Sequence, residues 1–282
     1  MLDDQTDALS RRDFTALTVG AAGAVVVATG AQAAEVVESD VTIKTTDGSC
    51  DAALFHPAGK GAWPAVLIWP DALGLRPEFR AMGKRLAAEG YVVLVPNPFY
   101  RSRPAPVFTG PFDFANADDR AKLALIRAPL TPDAVTRDAV AFVAFLDAQK
   151  VTNRKAKAGV QGYCMGGPMT MQTAAALPAR IGAGGSFHGG GLVTAAPDSP
   201  HLLVPKIKAR FYFGVAMNDD QRQPDAKDQL KAAFAAANVP AKIEVYDGAL
   251  HGWCVPGSAV YNPASAERAW GELLALYKAG LV

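Results

Sequence analysis

Short continuous apolar runs alternate along the chain with longer stretches that have helical spacing. The runs at residues 65–69 and 91–95 contain no charged position, as is typical of strands buried on both faces of a sheet. Residues 78–88 instead place apolar side chains every three or four positions, which predicts an amphipathic helix. This alternation predicts the α/β fold class, with a mostly parallel central sheet and helices on both of its faces.

The remaining segments repeat the same alternation to the end of the chain. A hairpin is predicted first, because strand-like residues at 41–45 and 52–55 flank the turn signal Asp47-Gly48. Residues 96–111 and 189–205 lack either pattern and are predicted to be surface loops. No second domain boundary interrupts the pattern, so we expect one α/β domain. Further strands are predicted at 158–161, 181–187, 211–215 and 242–246, and further helices at 132–149, 167–177, 226–237 and 264–278.

The first 33 residues predict an export signal rather than a first core helix. Arg11 and Arg12 precede a weakly hydrophobic run of small residues, and an Ala-x-Ala cleavage motif ends at Ala33. This order is typical of a bacterial twin-arginine (Tat) signal peptide. The apolar run is shorter than the roughly 20 residues of a membrane span, so no stable membrane anchor is expected. We expect residues 1–33 to engage the Tat export machinery, and residues 34–282 to act in the periplasm or outside the cell.

Composition narrows the classes of partner. The chain has 28 Lys+Arg against 27 Asp+Glu, so its formal net charge of +1 gives no broad electrostatic attraction for nucleic acid. Hydrophobic residues make up 50% and charged residues 20%, as in an ordinary globular protein. Three cysteines are too few for a disulfide scaffold. We therefore expect a small-molecule partner and no nucleic acid.

Residues 162–166, which read Gly-Tyr-Cys-Met-Gly, carry the clearest chemical signal in the chain. They directly follow a predicted strand and open a predicted helix, which is the context of a nucleophile elbow. The tight turn leaves no room for side chains two positions before and after the nucleophile, which explains both glycines. The positive end of the following helix favours a thiolate over a thiol. The motif therefore predicts Cys164 as a nucleophile rather than a structural thiol.

A thiol nucleophile needs a base to move its proton, and the base needs an orienting acid. Among four histidines, His251 follows the last predicted strand, and His188 is the alternative at the end of the strand after the elbow. Asp219 and Asp220 both follow the strand at 211–215, while Asp247 lies too close to His251 along the chain. The order nucleophile, acid, histidine is that of α/β hydrolases.

Together, the cysteine elbow, the late aspartate and the late histidine resemble the dienelactone hydrolase family of α/β hydrolases. The resemblance covers roughly residues 38–280 and includes Trp-Pro-Asp-Ala-Leu-Gly-Leu at 69–75 and His-Gly-Trp at 251–253. Residues 214–219, Gly-Val-Ala-Met-Asn-Asp, are similar to a family motif and favour Asp219, whereas the spacing to Pro224 favours Asp220. The resemblance implies the fold of an α/β hydrolase and hydrolysis of an ester or lactone.

The resemblance also implies a role for each matched residue. Cys164 attacks the carbonyl to form an acyl-enzyme, His251 serves as general base and acid, and Asp219 orients it. The backbone N–H groups of Met165 and Ala72 form the oxyanion hole. No metal and no organic cofactor is implied.

Two departures from the family pattern bear on the substrate. Asp71 stands where dienelactone enzymes carry a glutamate that helps ionise the cysteine, so it is the candidate auxiliary carboxylate. Gly252 and Val255 stand where those enzymes hold the substrate carboxylate with a serine and an arginine. These departures predict an uncharged or bulkier ester or lactone as substrate, unless another arginine replaces the missing charge. The candidates for that replacement are Arg101, Arg103 and Arg120.

Two other functions compete with hydrolysis. The first is a degenerate hydrolase fold that binds a small molecule without turnover. The second is a redox sensor that uses the Cys164 thiol and takes Cys254 as its resolving cysteine. Cys254 is also a candidate for a disulfide with Cys50 in an oxidising compartment, against the alternative that both thiols are unpaired.

Overall fold

An eight-stranded mixed sheet forms the centre of the protein in the computed structural model, which describes residues 35–282. The predicted export signal at 1–33 lies outside the described residues. The strand order is β1-β2-β4-β3-β5-β6-β7-β8; β1–β2 and β2–β4 pair antiparallel and the other neighbours pair parallel. The strands are β1 Val36–Thr45, β2 Gly48–Pro57, β3 Ala65–Trp69, β4 Val92–Pro96, β5 Ala158–Tyr163, β6 Ile181–Phe187, β7 Arg210–Ala216 and β8 Ala241–Tyr246.

Seven α-helices accompany the sheet within residues 35–282. Each predicted helix is confirmed to within two residues at either end, but α2 and the short α5 were not predicted. Helix α2 has no fully buried residue, and its apolar side chains Leu123 and Ile126 pack only partly buried against the core. A 3₁₀ turn, Pro200–Lys206, lies inside the second predicted loop. The helices are α1 Pro77–Ala88, α2 Ala117–Arg127, α3 Pro132–Ala148, α4 Gly166–Ala176, α5 Met217–Arg222, α6 Ala226–Ala236 and α7 Pro263–Gly280.

The sheet is covered on both faces, which is why its central strands read as continuous apolar runs. Every residue of β3 and β4 is buried. Alternate residues of these strands belong to two separate hydrophobic clusters. One cluster includes Phe142 of α3 and Met169 of α4, and the other includes Phe79 of α1 and Leu273 of α7. The predicted α/β class is therefore confirmed. No helix in the described part of the chain has the length and apolar composition to cross a membrane.

A buried carboxylate anchors the loop that follows β4. Asp138 of α3 is fully buried and accepts hydrogen bonds from Arg101 at 2.7 and 2.8 Å and from the Tyr100 hydroxyl at 2.8 Å. Arg101 also donates to Asp47 in the β1–β2 turn at 2.6 Å. The hairpin, the loop and α3 are thereby joined through one guanidinium, which holds the start of the loop against the sheet.

Replacement of Asp138 by alanine is expected to lower the free energy of unfolding by about 2–3 kcal/mol, because it removes three hydrogen bonds to a buried carboxylate and leaves Arg101 with Asp47 as its remaining acidic partner. Urea unfolding of the wild type and the variant measures the difference. The matched control is Asp133→Ala, at an exposed position of the same helix, which is expected to change stability by about 0.5 kcal/mol or less. Equal effects of the two substitutions would contradict a buried anchor.

Candidate active site

Neighbouring parallel strands bring the predicted catalytic side chains to one edge of the sheet. Cys164 follows β5, His188 follows β6, Asp219 follows β7, and His251 lies in the loop after β8. The carboxyl ends of parallel strands meet at the same edge, which is where α/β proteins hold their ligands. The sheet order therefore brings together residues as far apart in sequence as Cys164 and His251.

Cys164 sits on a strained turn between β5 and α4. Its φ is 51°, in the left-handed region that residues with a Cβ rarely adopt. Backbone hydrogen bonds hold this conformation: the Cys164 N–H donates to the Phe187 carbonyl at 3.1 Å, and the Cys164 carbonyl accepts from Gly167 at 3.0 Å. A Cβ at Gly162 would collide with the Gly166 carbonyl. The structure thus gives the same steric reason for these glycines that the motif predicted.

The structure brings Asp219, rather than Asp220, to His251. The distance between His251 Nδ1 and Asp219 Oδ2 is 2.5 Å, and the His251 backbone N–H donates to Asn218 Oδ1 at 2.8 Å. Asp220 instead accepts a hydrogen bond from Lys227 at 2.8 Å, and Asp247 is exposed. The two aspartates are consecutive residues of the short helix α5, so their side chains point in different directions and only Asp219 reaches the imidazole.

The imidazole of His251 lies between a carboxylate and a sulfur. Burial by itself lowers the pKa of His251, but its interactions with Asp219 and with the Cys164 sulfur outweigh burial and raise the pKa to about 10. His251 is therefore protonated at neutral pH. The imidazole therefore places a positive charge beside the sulfur of Cys164.

Cys164 and His251 open into a cavity of about 640 Å³. Much of its wall is apolar, and the aromatic side chains of Phe112 and Phe114 extend into it from the loop after β4. These two rings lie 4.8 Å apart between centroids, and Phe108 packs 4.7 Å from Phe112 on the other side. The cavity is lined by Asp71, Ala72, Leu73, Arg76, Glu78, Phe112, Phe114, Cys164, His188, His251, Gly252 and residues 255–260.

Two backbone N–H groups beside the thiol are free to bind an oxygen. Neither the Met165 nor the Ala72 N–H donates to an acceptor within residues 35–282. The two segments that carry them are in contact, because a Cβ at Gly166 would collide with the Trp69 carbonyl. Unpaired donors beside a nucleophile are what an oxyanion hole requires.

Asp71 is held by an arginine and not by the cysteine. Its two carboxylate oxygens accept from Arg76 at 2.6 and 2.8 Å, and Oδ1 also accepts from the Leu73 N–H at 2.9 Å. Within the described residues, no hydrogen bond joins Asp71 to Cys164. The Asp71 carbonyl accepts from the Gly74 N–H at 3.0 Å, so the contacts of Asp71 close the turn that carries Ala72.

The three arginines that were candidates for the missing positive charge have other partners. Arg101 is paired with Asp138 and Asp47. Arg103 donates to the Val107 carbonyl of its own loop, and Arg120 of α2 donates to the Phe114 carbonyl in the loop before that helix. None of the three lines the cavity. The sequence reasoning did not single out Arg76, which does line it. The available signal was its position five residues after Asp71, too weak to use without the turn geometry.

The other two cysteines are free, buried and on opposite faces of the sheet. Cys50 and Cys254 belong to different hydrophobic clusters, and no disulfide joins them in the described structure. Burial raises the pKa of both thiols above the ordinary range for cysteine. A protonated, buried Cys254 is poorly suited to resolve an oxidised Cys164.

Comparison with known proteins identifies relatives of the whole domain. The profile of the dienelactone hydrolase family matches residues 50–281. A relative from Synechocystis sp. that is named for carboxymethylenebutenolidase is 28% identical over 245 residues, covering 86% of this chain and 96% of the relative. One of the same name from Escherichia coli K12 is 25% identical over 221 residues, covering 77% and 78%. A structure from Klebsiella pneumoniae, described as a dienelactone hydrolase, aligns with a TM-score of 0.75 at 21% identity, covering 86% of this chain and 99% of that one; it shows the shared fold.

Because its folded-state pKa is raised, His251 is expected to keep its proton through neutral pH and to lose it as the pH rises through about 10. Histidine NMR measures this titration directly. Asp219→Asn removes the carboxylate and is expected to lower the pKa of His251 by about one pH unit or more. The control is Asp220→Asn, which loses only the Lys227 contact and is expected to leave the titration unchanged. A larger effect of the control would assign the orienting role to Asp220.

Proposed function

The chain belongs to the dienelactone hydrolase family, and on this premise we propose that it hydrolyses neutral esters or lactones through an acyl-enzyme on Cys164. The observation that carries the proposal is the contact between His251 and Asp219 beside a cysteine elbow. His251 is the proposed general base and acid, and Asp219 orients it. Cys164, His251 and Ala72 line one cavity.

Acylation begins with the thiolate of Cys164. Its sulfur attacks the carbonyl carbon of the ester, a C–S bond forms, and the carbonyl oxygen takes the negative charge. The N–H groups of Met165 and Ala72 stabilise that oxygen; one such donor is worth about 3–4 kcal/mol in a well-studied protease. When the C–O bond to the leaving group breaks, the His251 imidazolium passes its proton to the departing oxygen.

Deacylation returns the enzyme to its starting charge state. A water molecule attacks the thioester carbonyl while the now neutral His251 accepts one of its protons. The C–S bond breaks, the carboxylic acid product leaves, and the thiolate and imidazolium are restored. Asp219 stabilises the imidazolium at each stage where it forms and holds its Nδ1 proton in place.

The charges in the cavity favour a substrate without a carboxylate. Arg76 is the one lysine or arginine among the described lining residues, and it is paired with both Asp71 and Glu78. The two carboxylates outnumber the guanidinium, so an anionic substrate would meet no free positive charge. Phe112 and Phe114 offer an apolar, aromatic surface instead. We propose a neutral ester or lactone with a bulky apolar group.

A panel of p-nitrophenyl esters tests the reaction with the wild type, Cys164→Ala and His251→Ala. Each substitution is expected to lower kcat/KM by ~10³-fold or more, because the nucleophile and its base act as a unit. Mass spectrometry of a quenched reaction is expected to find the acyl group on Cys164. Activity that persists in both variants would overturn the mechanism. An inactive wild type that still binds esters would favour the binding function without turnover.

A neutral aryl ester is expected to be turned over with a higher kcat/KM than a carboxylated dienelactone. Phe114→Ala is expected to reduce kcat/KM for the aryl ester roughly fivefold to tenfold, since one aromatic contact is worth about 1 kcal/mol, and to affect a small acetate ester less. Leu125→Ala, an exposed position on α2, is the control. A clearly higher kcat/KM for the dienelactone would contradict the assignment of a neutral substrate.

A further inference from the structure

His188 is a buried histidine at the site that the proposed mechanism does not use. It follows β6 directly, is 1% exposed and lines the same cavity as Cys164 and His251. Its φ of 40° lies in the left-handed region. Among the non-glycine residues of 35–282, only Cys164 and Asn238 also have a positive φ. The His188 backbone N–H donates to the Gly214 carbonyl at 2.7 Å. The backbone therefore aims this ring into the site at a conformational cost.

The His188 ring packs edge to face against His251. Their centroids are 5.1 Å apart, with an angle of 64° between the ring planes. On its other side, His188 packs against Trp253 at 5.1 Å and 69°. Trp253 in turn stacks on Tyr246 of β8 at 4.9 Å. A continuous column of four rings thus connects the last strand of the sheet to the proposed catalytic imidazole.

His188 makes no polar contact that would explain an imidazole in this place. Neither ring nitrogen has a hydrogen-bond partner within residues 35–282. The titratable groups that face the ring are His251 and the buried Tyr163, whose ring centroid is 5.9 Å away. Burial and then the charge of His251 hold the pKa of His188 well below its ordinary value. What His188 presents to His251 is therefore a flat ring without charge.

We propose that His188 is a positioning residue, an uncharged ring that fixes the plane of His251 so that one nitrogen faces Asp219 and the other faces Cys164. The Asp219 contact restrains His251 at Nδ1 only, and the packing of His188 limits rotation of the rest of the ring. A charged group in this position would repel the imidazolium and weaken the ion pair with the thiolate. The inference rests on the proposed function, in which His251 moves the protons.

Two variants distinguish a role of the His188 ring from a role of its left-handed backbone conformation. His188→Phe keeps an uncharged ring, and His188→Asn keeps a residue type that tolerates a left-handed backbone but lacks the ring. We expect His188→Asn to reduce kcat tenfold or more with little change in KM, and to lower the pKa of His251 by about one pH unit as the Asp219 contact loosens. We expect His188→Phe to stay within about threefold of the wild type, with the His251 titration unchanged. His56→Asn is the control for loss of a histidine elsewhere.

The opposite ranking, with His188→Asn active and His188→Phe inactive, would overturn the proposal and leave only a backbone role. Loss of activity in both variants with an unchanged His251 titration would also overturn it. If neither variant folds, NMR of the wild type decides: the proposal requires His188 to stay neutral while His251 is protonated, and a His188 that carries a proton together with His251 contradicts it. The titrations need no turnover, so they separate this proposal from failure of the proposed hydrolase activity.

Discussion

The close approach of backbone segments around Cys164 is the constraint on which the rest of the site depends. β5 ends where the chain must reverse into α4. The turn is so tight that Gly162 and Gly166, two positions before and after Cys164, have no room for a Cβ. The turn forces Cys164 into a left-handed conformation, which the hydrogen bond to Phe187 on β6 holds in place. Because the sheet supplies that bond, the position of the thiol follows from the pairing of β5 with β6.

The charges around the thiol are arranged in two separate pairs. Asp219 and His251 form one pair, which raises the pKa of the imidazole and keeps a positive charge beside the sulfur. Asp71 and Arg76 form the other, which closes the turn at Ala72 and leaves the cavity without a free cation. The same aspartate that was expected to assist the cysteine thus closes the turn that carries Ala72. This separation is the physical basis for proposing a neutral substrate in a family that includes enzymes for a carboxylated one.

Hydrophobic patterns in the sequence predicted the strands and helices that are buried in the core, and they missed elements that are only partly buried. The strands at 65–69 and 91–95 and the helices packed on the sheet were predicted closely, because most residues that face the core are apolar. Helix α2 was missed because its few apolar side chains are only partly buried, so burial places little constraint on its sequence. The β1–β2 hairpin is longer than predicted, because pairing with β2 orders the polar residues of β1 that alternation alone could not include.

The sequence by itself determined the α/β class, the cysteine elbow with its two glycines, and the order of cysteine, aspartate and histidine, since each depends on neighbours in the chain or on burial. It also predicts the export signal at 1–33, which the described residues do not include. Only the tertiary structure decided between Asp219 and Asp220 as the partner of His251. It also showed that Arg76 pairs with Asp71, that the three other candidate arginines do not line the cavity, and that His188 packs against His251. Those outcomes depend on contacts between side chains brought together by different strands and turns, and the direction in which a side chain leaves a turn is set by backbone geometry that no local pattern records.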